Sequence, residues 1–126
     1  MYRSPIQNIH SFNCKKPAII YDKNLLNNKY CIDNIDLIKK EFPNSKYITN
    51  QLDGEPTYNY LEEVRKQFKK YTPDIIIAIG GGNTLDLGKG IALLLTNDVS
   101  ALSLKGFPKN VNDPLALITV PSIFGS

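Results

Sequence analysis

Three consecutive glycines, Gly80, Gly81 and Gly82, follow a run of five apolar residues and precede a segment whose apolar residues recur at helical spacing. A backbone without side chains can turn tightly and approach a ligand closely. The free N–H groups that open the following helix point at an anion. We therefore predict that this strand, glycine turn and helix bind a phosphate group. A glycine turn that only permits tight packing is the alternative.

The glycine segment does not fit the two best-known phosphate loops. The dinucleotide pattern GxGxxG, counted from Gly80 and Gly82, requires a glycine where Leu85 stands. The ATP-binding loop requires four residues between its glycines, whereas five residues separate Gly82 from Gly88. That loop also requires Ser or Thr after its lysine, and a glycine follows Lys89.

Apolar runs that alternate with helical segments indicate the elements that position the glycines. The predicted strands are 17–21, 46–49, 75–79 and 115–120, and the predicted helices are 24–40, with an interruption near Asn34, 57–71 and 83–95. Residues 97–112 are predicted to form a loop. This alternation predicts an α/β fold, a Rossmann-like and mostly parallel sheet flanked by helices. The uninterrupted apolar run 75–79 is typical of a central strand covered on both faces.

The length of 126 residues predicts a single domain over 1–126. Hydrophobic residues make up 42% of the chain and charged residues 21%, which is ordinary globular composition. The net charge of +3 is too mild to indicate a nucleic-acid partner. No apolar run is long enough for a membrane span or a signal peptide, and the two cysteines form no CxxC pair. We therefore expect a soluble, cytoplasmic protein.

The string GGGNTLDLGKGIA over 80–92, with PDIIIAI before it, resembles the iron-containing (group III) alcohol dehydrogenase family. Besides the glycines, Asp86, Lys89 and Ala92 fall on the family pattern PDxIIAxGGGSxxDxxKxxA. The last residues, PLALITVPSIFGS, are similar to the family's strand and loop PxxxIPTTAGTGSE. Glycerol dehydrogenases and, more distantly, dehydroquinate synthases are relatives of this family. The resemblance covers most of the chain.

The resemblance implies that an NAD(P) dinucleotide lies on the glycine segment. Gly81, Gly82 and Asn83 would hold the pyrophosphate, with Asn83 in place of the family's serine. Asp86 would brace the loop through backbone hydrogen bonds. The alternative for Asp86 is a carboxylate near the helix start that the helix dipole favours. Lys89 is expected to be a structural or surface residue.

The resemblance also places residues around the two riboses. Asp22 falls where the family has an acidic residue near the adenosine ribose, and a plain turn aspartate is the alternative. A carboxylate there accepts from the ribose hydroxyls and repels a 2′-phosphate, so NAD is expected rather than NADP. Ser122, Phe124 and Ser126 would approach the nicotinamide ribose and its phosphate.

The metal is implied to lie elsewhere. The family binds Fe or Zn through one aspartate and three histidines in a carboxyl-terminal helical domain, whereas this chain has one histidine, His10. The resemblance thus implies that the chain is the dinucleotide-binding fragment of a longer enzyme, inactive by itself. The implied parent, which could form a homodimer, interconverts a small alcohol and its aldehyde or ketone by hydride transfer. Two alternatives stay open: a non-catalytic module that binds a nucleotide or phosphate, and a fragment of a dehydroquinate synthase-like lyase.

Overall fold

The structure is a computed structural model that describes residues 14–106 and 111–122. Its strands are β1 Pro17–Asp22, β2 Lys46–Asn50, β3 Ile75–Gly80 and β4 Ala116–Pro121. Its α-helices are α1 Lys29–Glu41, α2 Tyr58–Tyr71 and α3 Gly82–Leu94, with short 3-10 helices at Leu25–Asn27 and Ala101–Gly106. Within the described ranges, no helix is long and apolar enough to cross a bilayer.

The predicted elements are confirmed except for two details. The first helical segment is interrupted at Asn28, not near Asn34, because the Asn28 side chain accepts from the Cys31 N–H (3.1 Å) and caps α1. Asn34 instead lies inside α1, which continues to Glu41, and its amide donates to the Tyr30 carbonyl one turn earlier (2.8 Å). The predicted loop 97–112 contains the 3-10 helix Ala101–Gly106.

The four strands form one parallel sheet in the order β2-β1-β3-β4. Apolar residues of α1, such as Ile38, pack with Ile19 and Ile77 on one face of the sheet. Residues of α2 and α3 pack on the other face. Every residue of β3 is buried, which confirms that it is a central strand covered on both sides.

The connection from α3 to β4 is held by buried polar contacts. The Asn97 side chain is 8% exposed; its amide donates to the Leu93 carbonyl (2.8 Å), and its oxygen accepts from the Asn112 N–H (2.6 Å). The Arg65 guanidinium of α2 donates to the carbonyl oxygens of Asn97 (2.5 Å) and Val99 (2.6 Å). These contacts fix the far end of α3 and the loop after it.

Asp74 ties the chain entering β1 to the chain entering β3. Its carboxylate accepts from the N–H groups of Lys15 (2.6 Å) and Lys16 (3.0 Å) and from the Cys14 thiol (3.3 Å). Burial raises the pKa of Asp74, but these hydrogen bonds outweigh it and lower the pKa below its ordinary value of 3.8. The folded state thus binds fewer protons than the unfolded state, so this stabilisation is complete above the ordinary carboxyl pKa and is lost as pH falls from there through the lower pKa of the folded state.

We expect Asp74→Asn to lower the free energy of unfolding by about 1 kcal/mol at neutral pH, a small value because the carboxylate stays accessible to water. Urea unfolding of both proteins at neutral pH and at about pH 3 should show the difference shrinking in acid. Asp36→Asn, an exposed position on α1, is the control and should change stability little. A difference of the same size at both pH values would contradict the role of the charge.

Candidate functional site

The predicted site residues lie at the edge where the parallel strands end. In register, Asp22 of β1 lies beside Asn50 of β2, and Gly80 of β3 lies beside Pro121 of β4. The chain passes from β1 to β2 on one side and then to β3 on the other side of β1. The crevice between β1 and β3 is therefore a topological switch point, where open α/β sheets bind their ligands.

Gly80 is required by both conformation and space. Its φ of +151° is a backbone angle that residues with a side chain rarely adopt. An added Cβ would also lie only 2.9 Å from Asp22 Cβ and 3.1 Å from Thr84 Cβ. Its carbonyl accepts from the Ser122 N–H (2.8 Å). Gly80 thereby brings the ends of β1 and β4 and the start of α3 to one place.

Gly81 precedes α3 and lies next to two polar side chains, those of Asp22 and Ser122. An added Cβ would lie 3.9 Å from both Asp22 Oδ2 and Ser122 Oγ, and one on Gly82 would meet nothing within 4 Å. The first α3 hydrogen bond runs from the Leu85 N–H to the Gly81 carbonyl (3.0 Å), so the N–H groups of 82–84 have no partner within the helix. This positive end of α3 can accept an anion.

Four of the predicted site residues have no contact with the glycine edge among the described contacts. Asn83 lies partly buried in the first turn of α3. Asp86 is exposed in the second turn, and its polar contact within the described residues is to Lys89 Nζ at 3.9 Å. Its role as a brace stays a prediction. Phe124 and Ser126 lie outside the described residues.

The structure adds a buried polar pair that sequence reasoning missed. Asn50 donates its amide to Thr84 Oγ1 (3.0 Å), and the two residues are 2% and 1% exposed. The Asn50 side-chain oxygen accepts from the Leu52 N–H (3.1 Å). The available signal was position: Asn50 directly follows the predicted strand 46–49, as Asp22 follows the predicted strand 17–21, and parallel strands end at a shared edge.

The loop after β2 is anchored beside Asp22. The Tyr60 hydroxyl of α2 accepts from the Gln51 N–H (3.1 Å) and donates to the Thr49 carbonyl (3.2 Å). Lys23 Nζ lies 2.6 Å from Asp53 Oδ1 and donates to the Gln51 carbonyl (3.3 Å). The loop therefore closes the β2 side of the same edge.

A comparison with models of known protein families identifies the family of this chain. The model described as "Iron-containing alcohol dehydrogenase" matches residues 4–126. The chain belongs to this family. The resemblance carried by the glycine segment is thereby confirmed.

Two curated dehydrogenases match part of the chain. An alcohol dehydrogenase of Thermococcus barophilus is 30% identical over 80 residues, which are 58% of this chain and 21% of that protein. A 4-hydroxybutyrate dehydrogenase of Cupriavidus necator is 29% identical over 83 residues, 63% of this chain and 22% of that protein. The matched part of the chain spans about a fifth of the length of these relatives.

Solved structures confirm the fold of this iron-containing alcohol dehydrogenase family member. A sulfoacetaldehyde reductase of Bifidobacterium kashiwanohense, in complex with NAD+, aligns with TM-score 0.76 at 18% identity over 93% of this chain and 31% of its own. An alcohol dehydrogenase of Oenococcus oeni aligns with TM-score 0.73 at 26% identity over 92% of this chain and 30% of its own.

The described residues do not fit the metal that the family name implies. Over 14–106 and 111–122, no group of three His, Cys, Asp or Glu side chains lies close enough to hold an ion. His10 lies outside those ranges. Cys14 and Cys31 are buried free thiols, and burial, with Asp74 nearby, raises the pKa of Cys14 to about 12. The Cys14 thiol is thus protonated and donates to Asp74 Oδ1 (3.3 Å).

Two concave surfaces lie away from the glycine edge. A cavity of about 360 Å³ at the amino ends of β1 and β2 is bordered by Lys15, Ser45 and Tyr71, among others. A shallower groove of about 540 Å³ runs along α2 between charged side chains that include Glu62 and Lys69. Neither surface contains a residue that the sequence assigned to the cofactor.

Proposed function

We propose that this chain binds NAD at the carboxyl edge of its sheet, as the dinucleotide-binding domain, over 1–126, of an alcohol dehydrogenase. One observation carries the proposal: at the amino end of α3, a Cβ on Gly81 would lie 3.9 Å from both the Asp22 carboxylate and the Ser122 hydroxyl. Family membership and the alcohol and 4-hydroxybutyrate dehydrogenase relatives support it.

The pyrophosphate of the dinucleotide would lie over the start of α3. The N–H groups of Gly82, Asn83 and Thr84 precede the first hydrogen bond within α3 and can donate to phosphate oxygens. The helix dipole adds a favourable potential at the same place. Gly81 leaves room for the phosphates because it has no Cβ.

The adenosine ribose would lie against Asp22. A carboxylate accepts from the 2′- and 3′-hydroxyls, and it repels the additional phosphate of NADP. Asp22 is partly buried, so its charge is screened less than that of an exposed residue. The sulfoacetaldehyde reductase that shares the fold was solved with NAD+, which supports NAD as the cofactor.

The whole protein is proposed to interconvert a small alcohol and its aldehyde or ketone. When bound, the nicotinamide supplies the hydride acceptor or donor. The proposed role of this chain is to bind and orient the dinucleotide. Ser122, Phe124 and Ser126 would approach the nicotinamide ribose. The described residues do not fit a metal. We expect no turnover by the 126-residue chain alone. A homodimer and a cytoplasmic location stay predictions.

The test is a calorimetric titration of the 126-residue chain with NADH and with NADPH. We expect NADH to bind at least tenfold more tightly than NADPH, a difference in binding free energy of about 1.4 kcal/mol. Asp22→Ser should remove most of that difference. Asp98→Ser, an exposed aspartate beyond α3, is the control and should leave the ratio unchanged. A chain that is folded by circular dichroism and binds neither dinucleotide would overturn the proposal.

A further inference from the structure

We infer that Asn50 is a positioning residue for the proposed cofactor site, because its buried hydrogen bond to Thr84 sets where the amino end of α3 lies relative to Asp22. The inference rests on the proposed function, since the site that it positions is the proposed NAD site. Asn50 itself would touch neither the phosphates nor the riboses of the bound dinucleotide.

The bond joins elements that are not neighbours in the sheet. Asn50 ends β2, and Thr84 belongs to α3, which follows β3; β1 lies between the two strands. In register, Asn50 lies beside Asp22, the last residue of β1. The 3.0 Å bond from Asn50 Nδ2 to Thr84 Oγ1 therefore passes across the end of β1, where the ribose would bind.

Thr84 and Asp22 flank the same point of the glycine turn. An added Cβ on Gly80 would lie 3.1 Å from Thr84 Cβ, 3.3 Å from Thr84 Cγ2 and 2.9 Å from Asp22 Cβ. Thr84 also lies in the first turn of α3, with the N–H groups proposed to hold the pyrophosphate. A shift of Thr84 would therefore move those donors relative to the Asp22 carboxylate.

The bond is strongly held because both partners are buried. Asn50 is 2% exposed and Thr84 1%, so water cannot replace a lost partner readily. The other end of the Asn50 amide is fixed as well, since its oxygen accepts from the Leu52 N–H (3.1 Å). With both ends of the amide fixed, the bond keeps one spacing between the ribose and pyrophosphate subsites.

Thr84→Val and Thr84→Ser form a matched pair for the test. Valine keeps the shape of threonine but cannot accept from Asn50, whereas serine keeps the hydroxyl. In calorimetric titrations of the 126-residue chain, we expect Thr84→Val to weaken NADH binding about tenfold, or about 1.4 kcal/mol. Thr84→Ser should bind close to wild type. Asn50→Ala should lose as much NADH affinity as Thr84→Val. The double variant should lose no more affinity than either single variant, because both remove the same hydrogen bond.

Asn97→Ala separates positioning from stability. It removes a buried asparagine with comparable hydrogen bonds at the other end of α3, so we expect a lower Tm and unchanged NADH affinity. Each variant is titrated below its own Tm, so that the affinity refers to folded chain. If Thr84→Val does not fold, the NADH affinity of Asn50→Ala is compared with that of wild type instead, since this variant removes the same hydrogen bond.

The outcomes distinguish the two proposals. If the folded wild-type chain does not bind NADH, the proposed function is overturned, and this inference with it. If wild type binds NADH and both Thr84→Val and Asn50→Ala bind equally well, only the positioning role is overturned. Equal losses in Thr84→Ser and Thr84→Val would also overturn it, because the hydroxyl would then not matter.

Discussion

Replacing Gly81 with valine is expected to abolish NADH binding to this chain while lowering its stability only modestly, by about 1 kcal/mol, because valine is a poorer N-cap than glycine. Gly81 has φ −81° and ψ −176°, an extended conformation that valine adopts without strain. The new side chain would enter the space that lies 3.9 Å from Asp22 Oδ2 and Ser122 Oγ. Because the pyrophosphate is proposed to occupy this space, we expect at least a hundredfold loss, about 2.8 kcal/mol.

Calorimetric titration with NADH and thermal unfolding, measured on the same protein, check this expectation. Gly90→Ala is the control, since Gly90 lies in the same helix but faces Leu61 of α2 instead of the strand ends. Its NADH affinity should match wild type. A Gly81→Val chain that binds NADH normally would show that the cofactor does not lie over the glycine turn. A large fall in Tm would assign Gly81 a structural role instead.

The fold could be predicted because each element carries its own local signal. The five apolar residues before the glycines predicted a central strand, and β3 is buried at every position. The helix break was placed wrongly because asparagine is a weak helix former at either position. The outcome depends on which backbone group each amide reaches: Asn28 caps the N–H of Cys31, and Asn34 bonds a carbonyl inside α1.

The candidate site could be predicted in part for a similar reason. Asp22, the glycines and Ser122 each end or follow an apolar run, and parallel strands bring such positions to one edge. The bond between Asn50 and Thr84 spans 34 residues and depends on the strand order β2-β1-β3-β4. The apolar pattern specifies which segments are strands but not their order, so it could not indicate this pair.

Gly88→Ala is expected to destabilise the fold by about 2 kcal/mol, although alanine favours helix over glycine by about 1 kcal/mol. An added Cβ would lie 2.6 Å from Ala78 Cβ of β3, and that neighbour has no side-chain torsion through which to move away. The α3 helix would have to lift from the sheet. Urea unfolding measures the change in the free energy of unfolding.

Two further variants show whether the close approach of α3 to β3 is the cause. In Gly90→Ala the added Cβ meets the end of the Leu61 side chain, which can rotate, so stability should be unchanged or slightly higher. Adding Ala78→Gly to Gly88→Ala removes the clashing methyl. The double variant should regain the wild-type free energy of unfolding except for about 1 kcal/mol, the cost of a glycine in a strand. If Gly88→Ala alone were as stable as Gly90→Ala, α3 would not lie this close to β3. The separation of Gly81 from Asp22 at the amino end of α3 depends on the same packing.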